Sequence, residues 1–125
     1  MTYITPADVD NTGAAEGMAP AERIRALNDD LRKTGAGGQT FLTRGLLEKG
    51  PDFIAKATAA VRAFDAFDDA NDPWQEHDCA TLEVDGESVM FKIDYYDENM
   101  EYGSPDPADP KVTRRVLTLM LAEEY

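Results

Sequence analysis

The chain has 125 residues, 42% of them hydrophobic and 30% charged, with a formal net charge of -13. This length suits one domain with a single core. No apolar run approaches the roughly 20 residues of a membrane-spanning helix, and the first residues lack the basic and apolar segments of a signal peptide. One cysteine excludes an internal disulfide. Composition therefore predicts a cytoplasmic protein.

The negative charge is concentrated in one region. Residues 65–109 contain fifteen acids and one base, Lys92, whereas the rest of the chain is close to neutral. A block of this kind repels the phosphates of nucleic acids and anionic lipid surfaces, and it attracts cations. The expected partner is therefore a basic protein surface, with no direct binding to nucleic acid or membrane.

The first half of the chain predicts an arm, two helices and a short strand. Residues 1–18 show no apolar period and are interpreted as a flexible N-terminal arm. A helix is predicted over 20–34 and a second from Pro51 to about residue 66, separated by a short strand at 39–43. The first helix has an apolar stripe at helical spacing, formed by Ile24, Leu27 and Leu31.

The second half predicts a hairpin and a last helix. After an acidic loop at 65–78, two alternating segments flank Asp85-Gly86, a strong signal for a two-residue turn. The second segment, 87–96, directs its more apolar side chains to the core: Val89, Phe91, Ile93 and Tyr95. Residues 110–122 are predicted as a helix whose buried stripe is formed by Val112, Val116, Leu119 and Met120.

Together these elements predict an α+β fold. The expected architecture is a small antiparallel sheet of three strands around a central hairpin, with about three helices packed on one face. Residues 19–125 form one domain in this interpretation, and no repeat or second domain is visible.

Several strings resemble a known family. NDPWQEHD, FKIDYYD and YGSPDPADPKVTRRVLTLMLAEEY, with RIRALNDDLRKTGAGG further upstream, are similar to the bacterial DUF3768 family over about residues 20–125. The resemblance implies an association with plasmid and phage genes and implies no activity, because the family is uncharacterised. Members tend to have Phe-Gly after the EHD motif, where this chain has Cys79 and Ala80.

His77 is the first candidate for chemistry. Its carboxylate neighbours suit a general base acting near neutral pH, and they equally suit a structural histidine that fixes the 65–78 loop. Cys79 is a candidate thiol nucleophile or a small buried side chain. Zinc needs more nitrogen and sulfur ligands than one His and one Cys supply, so no cofactor or metal is expected, although an irregular cation site around Asp94 and Asp97 stays open.

Aromatic side chains beside carboxylates predict a protein-binding surface, because Tyr and Trp bury a large area with little loss of conformational entropy. On strand 87–96, Tyr96 and Asp94 are expected on the open face of the sheet, opposite Tyr95. The candidate binding residues are Trp74, Glu76, His77, Asp78, Asp94, Tyr96, Asp97, Glu98, Glu101 and Tyr102.

The function predicted from these residues is a non-catalytic acidic binding module. In its sharpest form it inhibits or regulates a nucleic-acid-binding protein, such as a host defence nuclease, through carboxylates that imitate phosphates. Carboxylates two residues apart on a strand lie about 6.6 Å apart, and Glu83, Asp85 and Glu87 are candidates. The alternatives are a small enzyme using His77 with neighbouring carboxylates and a cation-stabilised structural domain.

Overall fold

The computed structural model describes residues 17–125, so the predicted arm lies outside the described residues except for Gly17 and Met18. This part of the chain contains three helices and four strands, and no helix in it is long and apolar enough to cross a membrane. In chain order the elements are α1 (Pro20–Thr34), β1 (Gln39–Leu42), α2 (Arg44–Leu47), α3 (Pro51–Ala63), β2 (Cys79–Val84), β3 (Glu87–Tyr96), β4 (Arg114–Leu121) and a 3₁₀ turn (Ala122–Glu124).

The four strands form one sheet in the order β1-β4-β3-β2. The strands β2, β3 and β4 are antiparallel neighbours, whereas β1 is parallel to β4. The α+β class and the central hairpin are therefore confirmed. The prediction of three strands, all antiparallel, is wrong because the last element joins the sheet between β1 and β3.

The helix predicted over 110–122 is wrong: this segment contains β4. Its apolar spacing is compatible with a helix, but β4 lies inside the sheet and is buried on both faces, so its side chains read as a nearly continuous apolar run. One face packs against the helices through Leu117, Leu119 and Leu121, and the opposite face buries Val116 and Met120.

The hairpin turn forms where the sequence predicts it. Asp85 and Gly86 have φ values of 51° and 81°. Positive φ at both central residues defines the type I′ turn, whose twist matches that of the strands it joins. Pairing then runs without interruption from Val84 opposite Glu87 to Cys79 opposite Lys92.

The helix α1 begins and ends at the predicted residues. Pro20 occupies its first turn, and the Glu22 side chain accepts a hydrogen bond from the backbone N–H of Ala19 (2.8 Å). At the other end Gly35 has φ 81°, and its N–H donates to the carbonyl of Leu31. The helix predicted from Pro51 to about 66 ends at Ala63 instead.

The core lies between the three helices and one face of the sheet. Leu31 of α1, Leu46 of α2 and Val61 of α3 are almost completely buried against Phe91 of β3 and its neighbours on that face. The prediction that the helices pack on one face of the sheet fits this arrangement. The opposite face carries exposed side chains, including that of Phe41, a residue that is 52% exposed.

Candidate functional site

A cleft opens between α1 and the loop that precedes β2. Its volume is about 230 Å³. Three carboxylates contribute to the wall, against one guanidinium, so the cleft is acidic. The lining side chains are Arg25, Phe67, Asp68, Asp69, Asp72, Gln75 and His77.

Hydrogen bonds within the loop fix its shape. Asp68 Oδ1 accepts from the backbone N–H groups of Ala70 and Asn71 (2.9 Å each), and Asp72 Oδ1 accepts from those of Glu76 and His77 (3.1 Å each). Such bonds satisfy backbone N–H groups that a helix or strand would otherwise pair with carbonyl groups. Asp68 and Asp72 therefore act first as turn-forming groups, and both also line the cleft.

His77 connects the loop to α1. Its ring lies flat on the ring of Phe67, with centroids 3.9 Å apart and planes 6° apart. Nδ1 lies 2.9 Å from Asp29 Oδ1, and Nε2 lies 3.7 Å from Asp72 Oδ2. Asp29 Oδ1 also accepts from Arg32. A ring held by stacking and faced by a carboxylate at each nitrogen has the geometry of a structural residue that fixes the loop to α1, and His77 also lines the cleft.

A buried polar network lies beneath this loop. Asn28, which is fully buried, donates through Nδ2 to the carbonyl of Glu76 (2.9 Å) and to the hydroxyl of Tyr95 (2.8 Å). Its Oδ1 accepts from Nε of Arg115 (2.7 Å), and the Tyr95 hydroxyl donates to Glu76 Oε1 (2.8 Å). The network therefore ties α1, the loop and two strands together.

The same burial shifts several pKa values. Desolvation raises the pKa of Tyr95 well above its ordinary range and lowers the pKa of Arg115. Desolvation, and then neighbouring carboxylates, raise the pKa of Asp78. The pKa of Cys79 is raised in the same way, by burial and then by Asp78 and Asp72. A raised thiol pKa disfavours the thiolate that nucleophilic catalysis needs.

Sequence reasoning missed the network, although one signal was present. Asn28 and Arg32 lie at helical spacing on the same stripe as Ile24 and Leu31, where an apolar residue is expected. Arg115 lies two residues before Leu117, on the same face of β4 as the core leucines, which identifies it as core-facing only once that segment is known to be a strand.

The predicted binding residues occupy three places. Trp74 follows Pro73 in the cleft loop and is 74% exposed. In that loop Glu76 turns inward to Tyr95, and Asp78 is half-buried. On the open sheet face lie Tyr96 and Asp94, the latter paired with Lys92. A third place is the loop after β3, with Asp97, Glu98, Glu101 and Tyr102.

Other acids of the 65–109 block are engaged elsewhere. Glu87 pairs with Lys49 and Asp85 with Lys56, both at 2.9 Å, at the turn end of the hairpin. Asp97 accepts the backbone N–H of Glu101 (3.0 Å), and such bonds lower its pKa. The acids of the block therefore lie in several places, and in the cleft loop Asp68 and Asp69 line a concave wall while Trp74 is exposed in the same loop.

Among residues 17–125 no group of three or more His, Cys, Asp or Glu side chains is arranged to hold a metal ion. At the cation site considered from the sequence, Asp94 Oδ2 pairs with Lys92, and Asp97 Oδ1 accepts the backbone N–H of Glu101.

Comparison with known proteins places the chain in a family. No curated protein and no solved structure matches it. A family model described as protein of unknown function (DUF3768) matches residues 42–124, a span that includes the cleft loop, β2, β3 and β4 but not α1. The match covers well over half of the chain, and the protein therefore belongs to the DUF3768 family.

Proposed function

We propose that the protein is a non-catalytic binding module that receives a basic segment of a partner protein in the acidic cleft. The observation that carries the proposal is the conjunction of Asp68 and Asp69 in the cleft wall with the exposed Trp74 in the same loop. Trp and Tyr are enriched at the centres of protein interfaces, and carboxylates steer basic partners.

Rigidity of the cleft loop supports binding. The loop is held by its own carboxylates and by His77, so its acidic groups are already ordered before a partner arrives. Preorganised groups lose less conformational entropy on association. A lysine or arginine side chain entering the cleft would meet the carboxylates of Asp68 and Asp69, which line it.

We further propose that the natural partner is a nucleic-acid-binding protein. Such proteins present arrays of Arg and Lys that normally contact phosphates. An ordered group of carboxylates competes with the phosphates for these Arg and Lys side chains. An enzymatic role for His77 is less well supported, because both ring nitrogens already face carboxylates, at 2.9 Å from Asp29 and 3.7 Å from Asp72.

The single tryptophan provides the assay, because Trp74 lies in the same loop as the cleft residues Asp68 and Asp69. A tryptophan-free oligo-arginine peptide titrated into the protein should change Trp74 fluorescence saturably, and raising salt from about 50 to about 200 mM should weaken binding. The double variant D68N/D69N should weaken binding by about 2- to 30-fold, from about 0.2–1 kcal/mol per exposed charge pair.

A matched control separates the cleft from net charge. The variant D85N/E87Q removes the same two charges at the turn end of the hairpin, where both acids pair with lysines. It should leave the affinity for the peptide nearly unchanged. Equal weakening by both double variants would mean that the peptide reads only the total charge, and the proposed site would be wrong.

A further inference from the structure

The strand β2 has one unpaired side. It lies at the end of the sheet and pairs only with β3. The N–H of Ile93 donates to the carbonyl of Asp78 (2.7 Å), and the turn pairs Val84 with Glu87. Because hydrogen bonding alternates along an antiparallel strand, the even-numbered residues bond to β3. The residues that direct N–H and C=O outward are therefore Cys79, Thr81 and Glu83.

These outward groups have no backbone partner among residues 17–125. Thr81 and Glu83 are exposed. Edge strands are usually protected against pairing by proline, lysine or a bulge. The strand β2 has no proline or lysine, Glu83 is its one charged residue, and its register with β3 is continuous over all six residues. It is therefore an edge that another strand can extend.

The other edge of the sheet is less suitable. The strand β1 has four residues and leads directly into α2. The N–H of Thr43 donates to the carbonyl of Leu119 (3.1 Å), so alternate residues of β1 bond to β4 and only Thr40 and Leu42 face outward. Growth of the sheet is thus expected on the β2 side alone.

We propose that β2 pairs antiparallel with β2 of a second copy of this chain, around a two-fold axis at Thr81, to form a continuous eight-stranded sheet. In this register Thr81 lies opposite itself, and Cys79 of each chain lies opposite Glu83 of the other. Thr–Thr pairs are favourable across strands, and like charges directly opposite are not. The single charge of β2 is placed away from the axis, so it does not meet its own copy.

The proposed occupant is a second copy of this chain, because the register uses all three outward-facing residues and places Glu83 opposite Cys79 rather than opposite itself. Three opposite pairs exchange about two hydrogen bonds each, and the two-fold contact is closed, so assembly stops at two chains. Each chain carries a net charge of -13. Repulsion between the two chains is screened by salt, so dimerisation should strengthen as salt rises. Binding of a basic partner in the acidic cleft should weaken under the same change.

Sedimentation equilibrium of the full chain tests the proposal. The wild-type protein should be dimeric in about 0.5 M salt, and the equilibrium should shift towards monomer at low salt. The variants T81K and T81E place like charges opposite each other and should be monomeric, and their equimolar mixture should recover the dimer. S88K, which adds a charge at an exposed position of β3, should remain dimeric.

A disulfide test fixes the register. In the C79S background, T81C leaves one thiol at the two-fold axis, where opposite Cα atoms of a hydrogen-bonded pair lie about 5.5 Å apart, within the range for a disulfide. Oxidation should cross-link T81C/C79S, and it should not cross-link S88C/C79S. A wild-type chain that stays monomeric at high salt and high concentration, or a dimer that T81K and T81E leave intact, would overturn the proposal.

Discussion

Truncation of Asn28 to alanine tests the buried network most directly. The side chain is fully buried and makes three hydrogen bonds: Nδ2 donates to the carbonyl of Glu76 and to the hydroxyl of Tyr95, and Oδ1 accepts from Arg115. N28A removes all three. It also leaves Nε of Arg115, a buried charged group, without its acceptor.

The size of the effect follows from these contacts. A neutral hydrogen bond contributes about 0.5–1.5 kcal/mol and one to a charged group about 1.5–3 kcal/mol, so the two neutral bonds and one charged bond of Asn28 together contribute about 2.5–6 kcal/mol. Domains of this size have a free energy of unfolding of about 5–15 kcal/mol. N28A is therefore expected to remove a large part of the stability, and an exposed control, N99A, very little.

Urea unfolding followed by far-ultraviolet circular dichroism measures this loss. Because N28A can fail to fold, the milder Y95F is measured beside it, with an expected loss of about 1–3 kcal/mol from the missing hydroxyl. The two residues contact each other, so the double variant should show a coupling energy of at least about 0.5 kcal/mol. A loss below about 1 kcal/mol for N28A, or strict additivity with Y95F, would refute the network as described.

Three further predictions rest on single positions. An added Cβ at Gly38 would lie 2.4 Å from the carbonyl oxygen of Arg115, whereas one at Gly103 would meet its nearest atom at 3.9 Å. G38A should thus lower the free energy of unfolding by about 1–3 kcal/mol and G103A by much less. Equal losses would contradict the close packing of Gly38 against the Arg115 carbonyl. Burial raises the pKa of Tyr95 above the 10.0 of an exposed phenol, so its contribution to the free energy of unfolding is complete below pH 10.0 and is lost as pH rises above it. Above pH 10.0 the free energy of unfolding should therefore fall less steeply with pH for Y95F than for the wild type, and equal slopes would count against this. Burial likewise raises the pKa of Asp78 above 3.8, because burying the charged carboxylate is unfavourable. The variant D78N removes that charge, so it should raise the urea midpoint at neutral pH and lose this advantage below pH 3.8, where the wild-type carboxyl is protonated. A lower midpoint for D78N at neutral pH would contradict this.

Local signals determined part of this fold. Pro20, Glu22 and Gly35 mark the ends of α1, and Asp85-Gly86 specifies a turn that only residues tolerant of positive φ adopt readily. Alternation along 87–96 separates the core face from the open face, and the structure has Phe91 and Tyr96 on the expected sides. These features depend on neighbours within a few residues of one another.

The identity of β4 depended on tertiary contacts. A strand between two others is buried on both faces, so alternation is lost, and its apolar spacing cannot be told from that of a helix. The parallel partner β1 lies 77 residues upstream in register, with Gln39 opposite Val116. No local pattern encodes a pairing at that separation.

The candidate site divides in the same way. Sequence by itself determined the acidic charge, the exposed aromatic loop and the residues that form turns, because these properties belong to the side chains and their immediate neighbours. Only the tertiary structure decided that Asp29 of α1 meets His77, that Asp68 and Asp69 line a cleft while Asp85 pairs with Lys56, and that β2 is left as an edge. The physical reason is that a side chain's partner across the fold sets its exposure and its available charge, and that partner is chosen by packing of the whole chain.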